Sequence, residues 1–141
     1  MQPRSRGRVS LSSADPAAPP RIEFNHLAEP KDLAVMVAAA EEVRRLVRAS
    51  PLAEFARLEL YPGPDINGAK LEAMIRRDVS TYHHSSSTCR MGEDPDAVVD
   101  RAGRVHGIDH LSVADASILP SIPSTNIHLT VLMVAERYAC H

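Results

Sequence analysis

Residues 123–139 read Pro123-Ser124-Thr125-Asn126-Ile127-His128-Leu129-Thr130-Val131-Leu132-Met133-Val134-Ala135-Glu136-Arg137-Tyr138-Ala139. From Ile127 to Ala139 the pattern predicts a helix that is apolar on nearly every side, through Leu129, Val131, Leu132, Met133, Val134 and Ala135. A helix apolar on most sides must be buried on most sides. In a chain of 141 residues that is hard to satisfy. The sequence asks for more protein than it contains.

Outward from that helix, the stretch from Tyr82 onward holds every histidine except His26. Two short strands are expected around Arg104-Val105-His106 and Leu111-Ser112-Val113-Ala114, joined by Gly107-Ile108-Asp109-His110. Three clusters could carry chemistry: His83 to Gly92, Val113 to Ser117, and Pro123 to Thr130.

A metal site is one option. His83, His84 and Cys89, or His106 with His110, could supply ligands, but no CxxC or HExxH spacing occurs. A serine nucleophile is a second. Ser85-Ser86-Ser87 follows His84, yet no glycine flanks the run to permit a nucleophile elbow. Such a run otherwise reads as a polar loop whose hydroxyls satisfy their own backbone. A third option pairs His84 with His128. Imidazole gains and loses a proton near neutrality, so two of them suit proton removal plus charge stabilisation. His128 opens the last helix, where free backbone N–H groups favour a nearby anion. The plainer reading of His128 is a capping residue.

Nearer the N-terminus the patterns are those of scaffold. Pro30 suits a first helical turn, and Leu33, Met36, Val37, Ala40, Val43 and Val47 follow at helical spacing. Arg44, Arg45 and Arg48 crowd its last turns, where cations oppose the dipole, and Ser50-Pro51 ends it. A second helix is expected over roughly Ala69 to Val79. Before both lie two extended segments, Gly7 to Leu11 and Arg21 to Phe24, separated by a proline-rich turn. Their alternation, Val9/Leu11 and Ile22/Phe24, predicts strands with one buried face, as a hairpin-like pair at the edge of a sheet.

Composition narrows the function classes. The net charge of -2 argues against nucleic acid as the main partner, and 4% aromatics with no Trp argue against base-stacking platforms. Two cysteines are too few for a disulfide framework. No secretion signal or transmembrane segment is read, so a cytoplasmic location is the expectation.

The clusters also resemble a known family. His84-Ser-Ser-Ser-Thr-Cys-Arg-Met-Gly and its continuation to Asp100 are similar to the histidine block of glucose-methanol-choline (GMC) oxidoreductases, often written H-P-V-G-T-C-R-M-G. Arg104-Val105-His106-Gly107, Leu111 to Pro120, and Pro123 to Glu136 resemble the R-V-H-G, L-R-V-V-D-A-S-x-x-P and P-S-G-N-T-N-x-P-T-x-M-I-A-E segments, in the family's order. Pro3 to Leu11 and Pro19 to Ile22 resemble the opening of the same C-terminal domain. The resemblance thus covers essentially the whole chain.

It implies an α+β fold: the C-terminal GMC domain, with a substrate-side sheet and helices plus the terminal strand and helix that complete the FAD-binding fold. Residues 1–81 would be substrate-domain scaffold and residues 82–141 the active-site and flavin-contacting region. The implied reaction is oxidation of a small-molecule alcohol to a carbonyl, by hydride transfer to flavin N5 of FAD. His84 would be the base, with His128 beside it. Asp115 and Ala116 would lie near the FAD pyrophosphate and ribityl chain, and His128, Leu129 and Thr130 near the ring. For Asp115 the simpler alternative is a turn or cap residue after a strand, worth about 1 kcal/mol as a cap. His83 would face away from the flavin, because alternate side chains on an extended segment point to opposite faces.

Family members are several times longer and begin with a glycine-rich dinucleotide fingerprint, which is not found here. The resemblance therefore implies an N-terminal FAD-binding portion, in cis or in trans, without which the chain would be inactive. A non-catalytic ligand-binding or interaction module derived from this domain is the alternative. The departures are Ser85-Ser86-Ser87 in place of Pro-Val-Gly, His128 where many relatives have Asn, and Thr130 in place of proline. These variants resemble an actinobacterial branch associated with the redox peptide mycofactocin.

Overall fold

A computed structural model describes residues 2–139. The chain divides into two compact units, one of residues 3–80 and one from Thr81 on together with Gln2.

The first unit begins with a hairpin. Strand β1 (Arg8–Ser10) pairs antiparallel with β2 (Arg21–Glu23), with Val9 opposite Ile22. Asp15 shapes the connection, accepting from the Ala17 N–H through its carboxylate and from the Ala18 N–H through its carbonyl. The pairing matches the alternation, but the buried face does not form. Val9, Leu11, Ile22 and Phe24 are all exposed, because a two-stranded ribbon this short has no layer stacked on it within its unit.

Helix α1 (Pro30–Val47) starts with a proline in its first turn, and α2 (Ala69–Asp78) packs against it. Leu33, Leu71 and Ile75 are buried between them, with Met36, Val37 and Ala40 packed alongside. The predicted stripe of α1 holds through Ala40, lapses at Val43 and returns at half-buried Val47. Val43 is exposed, and the inward position falls to Arg44, four residues after Ala40, as the helical repeat requires. Arg44 was expected to answer the helix dipole. It lies in the last turn, and its guanidinium also reaches Glu59 at 2.7 Å, Asn67 Oδ1 at 2.9 Å and the Gly63 and Ile66 carbonyls at 3.1 and 3.0 Å. That single side chain ties the loop before α2 to the end of α1. At the other end of α1, the Asp32 carboxylate accepts from the Arg4 and Ser5 N–H groups. These backbone donors, that of Arg4 first, lower its pKa.

The second unit is built differently. Its one α-helix among the described residues is α3 (His128–Ala139). Its buried apolar residues are Val99 and Ile118, both fully enclosed, with Leu119 and Ile127. The strands expected around residues 104–106 and 111–114 are reduced to single bridges, Val99 with Val105 and Arg104 with Ser112. Only two rungs close between those segments, Val105 N–H to Leu111 O and Val113 N–H to Gly103 O, both at 2.9 Å. The physical reason is competition. The Asp100 carboxylate takes the Ala102 and Arg104 N–H groups at 2.8 and 3.0 Å, which winds the chain into turns instead of a longer ladder. Left-handed backbone at Gly103, Gly107 and His110 completes those turns. At Gly103 an added Cβ would stand 2.8 Å from the Val113 carbonyl and 3.0 Å from the Tyr138 ring, so this turn and the end of α3 meet only because the residue is glycine.

Helix α3 begins within one residue of the expected start, yet none of its residues is buried. Leu129, Leu132 and Met133 are exposed, Leu129 at 77%. No helix among the described residues is long and apolar enough to cross a membrane.

Candidate active site

The His84 block and the Asp115 block lie together, and backbone hydrogen bonds bring them there. Ser87, Cys89 and Met91 donate in turn to the carbonyls of Ala116, Ser117 and Ile118, at 3.3, 3.0 and 2.8 Å. Alternate residues of one segment thus bond successive residues of the other, because Ala116–Ile118 is a turn of 3-10 helix, with a shorter rise than a strand. Asp115 caps that turn. Its Oδ1 accepts from the Ser117 N–H at 2.8 Å and from the Ser117 hydroxyl at 2.5 Å. The capping alternative for Asp115 is therefore what its side chain does. Cys89, half-buried on the same ladder, is a free thiol.

The far end of the ladder is closed twice. Gly92 N–H donates to the Val99 carbonyl, while Val98 and Val99 N–H groups return to the Arg90 carbonyl. The Arg90 guanidinium grips both oxygens of Asp94, and this bond pulls the Asp94 pKa down to about 2.

His84 stands before the ladder begins. It is half-buried, and its ring lies tilted against that of exposed Tyr82, with centroids 5.6 Å apart. The extended backbone assumed for the His83–His84 pair is not present. His83 has a left-handed φ of 60°, so the alternation argument does not apply to it. His83 is nonetheless exposed.

His128 is exposed at the first position of α3. Among the described residues, the N–H groups of His128, Leu129 and Thr130 have no hydrogen-bond acceptor. The first helical donation recorded there is Val131 to the Ile127 carbonyl, at 2.9 Å. No hydrogen bond joins the His84 and His128 rings. The structure thus joins the His84 block to Asp115–Ile118 and anchors α3 through buried Ile127, without joining the two histidines directly.

Two groups have site-shaping roles that spacing alone did not reveal. Asp100 organises the turn at residues 100–104. His106, weighed only as a metal ligand, uses its ring otherwise: Nε2 donates to the Gly92 carbonyl at 3.0 Å. The R-V-H-G string was visible, but the partner lies 14 residues away and only the fold supplies it. No group of three or more His, Cys, Asp or Glu side chains is placed to hold a metal among the described residues.

The family model for GMC oxidoreductases matches residues 3–135, in its C-terminal form. The chain belongs to the GMC oxidoreductase family. Among curated relatives, the oxygen-dependent choline dehydrogenase of Burkholderia pseudomallei is 44% identical over 140 residues, 99% of this chain and 25% of that protein. Oxygen-dependent choline dehydrogenase 1 of Chromohalobacter salexigens is 39% identical over 142 residues, with the same coverage. Among solved structures, pyridoxine 4-oxidase from Mesorbium loti superposes with a TM-score of 0.89 at 38% identity, over 99% of this chain and 27% of that one. Formate oxidase from Aspergillus oryzae superposes at 0.84 and 32%, over 95% and 24%. This GMC chain therefore spans about a quarter of the length of the curated relatives it matches, and its fold is that of the family's C-terminal domain.

A flat, anionic cofactor suits what α3 presents: three N–H groups at a helix start with no acceptor among the described residues, next to the exposed side chain of Leu129. The residues present fit FAD.

Proposed function

We propose that this chain is the catalytic C-terminal part of an FAD-dependent oxidoreductase that oxidises a small-molecule alcohol to a carbonyl, working with an N-terminal FAD-binding portion. The observation that carries the reading is the ladder from Ser87–Met91 to Ala116–Ile118, which brings the histidine block against the Asp115 cap in a member of this family. Relatives named for choline and pyridoxine, both alcohols, support the substrate class.

FAD, when bound, would supply the hydride acceptor. His84 accepts the hydroxyl proton of the substrate, since loss of hydride from carbon leaves positive charge unless that proton departs. His128 hydrogen-bonds the same oxygen and orients it. The N–H groups at the start of α3 would hold negative charge on the cofactor side, Leu129 would lie against the ring, and the backbone at Asp115 and Ala116 would hold the pyrophosphate and ribityl chain. The exposed apolar side of α3 would be covered by the N-terminal portion. The same arrangement makes this chain inactive by itself.

The test uses the chain joined to its FAD-binding portion, with rapid-mixing measurement of flavin reduction by the alcohol. His84→Ala lowers the rate by about 10²- to 10⁴-fold with FAD still bound, the usual range for general acid–base catalysis. His83→Ala changes it far less. An exchange of these outcomes would move the base by one residue. If neither variant slows flavin reduction, the histidine mechanism is wrong.

A further inference from the structure

We infer that His106 is a positioning residue: its imidazole, bonded to the Gly92 carbonyl, holds in place the segment that carries His84. The inference rests on the proposed role of His84 and adds a residue with no part in that chemistry so far.

His106 bonds this segment and its neighbour with two different groups. Its backbone N–H donates to the Val98 carbonyl at 3.0 Å, and its ring Nε2 donates to the Gly92 carbonyl at 3.0 Å. Because a carbonyl can only accept, Nε2 must carry the hydrogen, which a hydrocarbon side chain cannot imitate. Gly92 is closely surrounded on its other sides. Its N–H is committed to the Val99 carbonyl, and an added Cβ there would stand 3.0 Å from Asp94 Oδ2 and 3.1 Å from both Ala97 Cβ and Arg90 Nη1.

The next rungs back along the chain are Met91, Cys89 and Ser87 on Ile118, Ser117 and Ala116. Beyond Ser87 that ladder stops. Over Thr81–Ser86 the one backbone N–H donation among the described residues is His83 N–H to Thr81 Oγ1. The position of His84 is thus inherited from a ladder whose distal end the His106 ring helps to hold, together with the Gly92–Val99 and Val98–Arg90 bonds. Small displacements at a reacting group carry large kinetic effects, up to about 100-fold for about 1 Å.

The test uses the enzyme joined to its FAD-binding portion and four variants: His106→Leu, which removes the donor; His106→Gln, which keeps a donor N–H at similar reach; His84→Ala; and the double variant His84→Ala with His106→Leu. Expected are a loss in the flavin-reduction rate of about 10- to 100-fold for His106→Leu with KM little changed, and a rate within about twofold of the parent for His106→Gln. In the His84→Ala background, His106→Leu costs no further rate, because its effect runs through His84. Amide hydrogen exchange of the peptide spanning residues 87–92, read independently of turnover, quickens in His106→Leu and not in His106→Gln.

If His106→Leu costs the same factor with His84 absent, or if His106→Gln is as slow as His106→Leu, the positioning role is overturned while the role of His84 stands. If His106→Leu does not fold, the Gln variant decides by the same two readouts. If His84→Ala itself leaves the rate unchanged, the proposed base falls.

Discussion

The two units of this chain are held together by different physics. In residues 3–80 two helices bury an apolar seam, and Leu71, only 1% exposed, is its most enclosed side chain. From Thr81 on, four buried apolar residues share the work with turns, a 3-10 cap and backbone bonds between segments far apart in sequence. A seam between helices tolerates much variation at its exposed positions. A network of such bonds instead depends on individual groups placed for particular partners, such as Asp115, His106 and Gly103. The second arrangement suits a site, since it places side chains from distant motifs without a deep core of its own.

Breaking the helical unit has the largest expected effect on stability. Leu71→Ala removes a fully enclosed side chain and should lower unfolding free energy by about 2–5 kcal/mol, read by denaturant titration. Hydrogen exchange should then quicken along α1 and α2 more than along residues 87–118; equal loss in both would show that the units do not differ in what holds them.

A smaller effect is expected from Gly103→Ala in the second unit. The residue has a φ of 75° and no room for a Cβ, so the change should cost about 1–3 kcal/mol. The matching control is alanine at Gly107, also left-handed but with nothing within 4 Å of its Cβ position. Thermal melts that rank the two variants the other way would show that contact with Val113 and Tyr138 does not matter.

The smallest effect sharpens the comparison through pH. The Arg90 guanidinium holds the Asp94 pKa at about 2, against 3.8 for the unperturbed group. A carboxyl whose folded value is depressed favours the folded state when ionised. Its contribution is therefore complete above the unperturbed value and is lost as pH falls through about 2. Asp94→Asn should remove that contribution at neutral pH, a small loss because both partners are partly exposed, and so flatten the acid limb of the stability curve in that window. A variant curve that runs parallel to the parent down to the acid end would remove Asp94 from the account.

Much of the molecule was legible before any coordinates. The bounds of α1, α2 and α3 followed from apolar period, a first-turn proline and chain breakers, all of which act within a few residues. The hairpin followed from alternation. The ordered motif strings carried the family, and with it the choice of His84, His128, Asp115, Ala116, Leu129 and Thr130. What failed failed for a common reason. The strands at residues 104–106 and 111–114 lost to the Asp100 carboxylate, the inward position after Ala40 went to Arg44 rather than Val43, and the alternation of His83 and His84 was undone by a left-handed residue. Each depends on a partner or a dihedral that no local pattern records.

Periodicity and punctuation therefore determined the helices and the hairpin, because a helix or a turn is set by neighbours along the chain. The motif strings determined the family, because their order is a property of the sequence alone. Only the tertiary structure decided that Ser87, Cys89 and Met91 bond Ala116, Ser117 and Ile118, that Arg44 gathers the loop from Glu59 to Asn67, and that the ring of His106 finds the carbonyl of Gly92. Hydrogen bonds between distant segments are satisfied by whatever the fold brings within about 3 Å, and that distance is not written in any stretch of sequence.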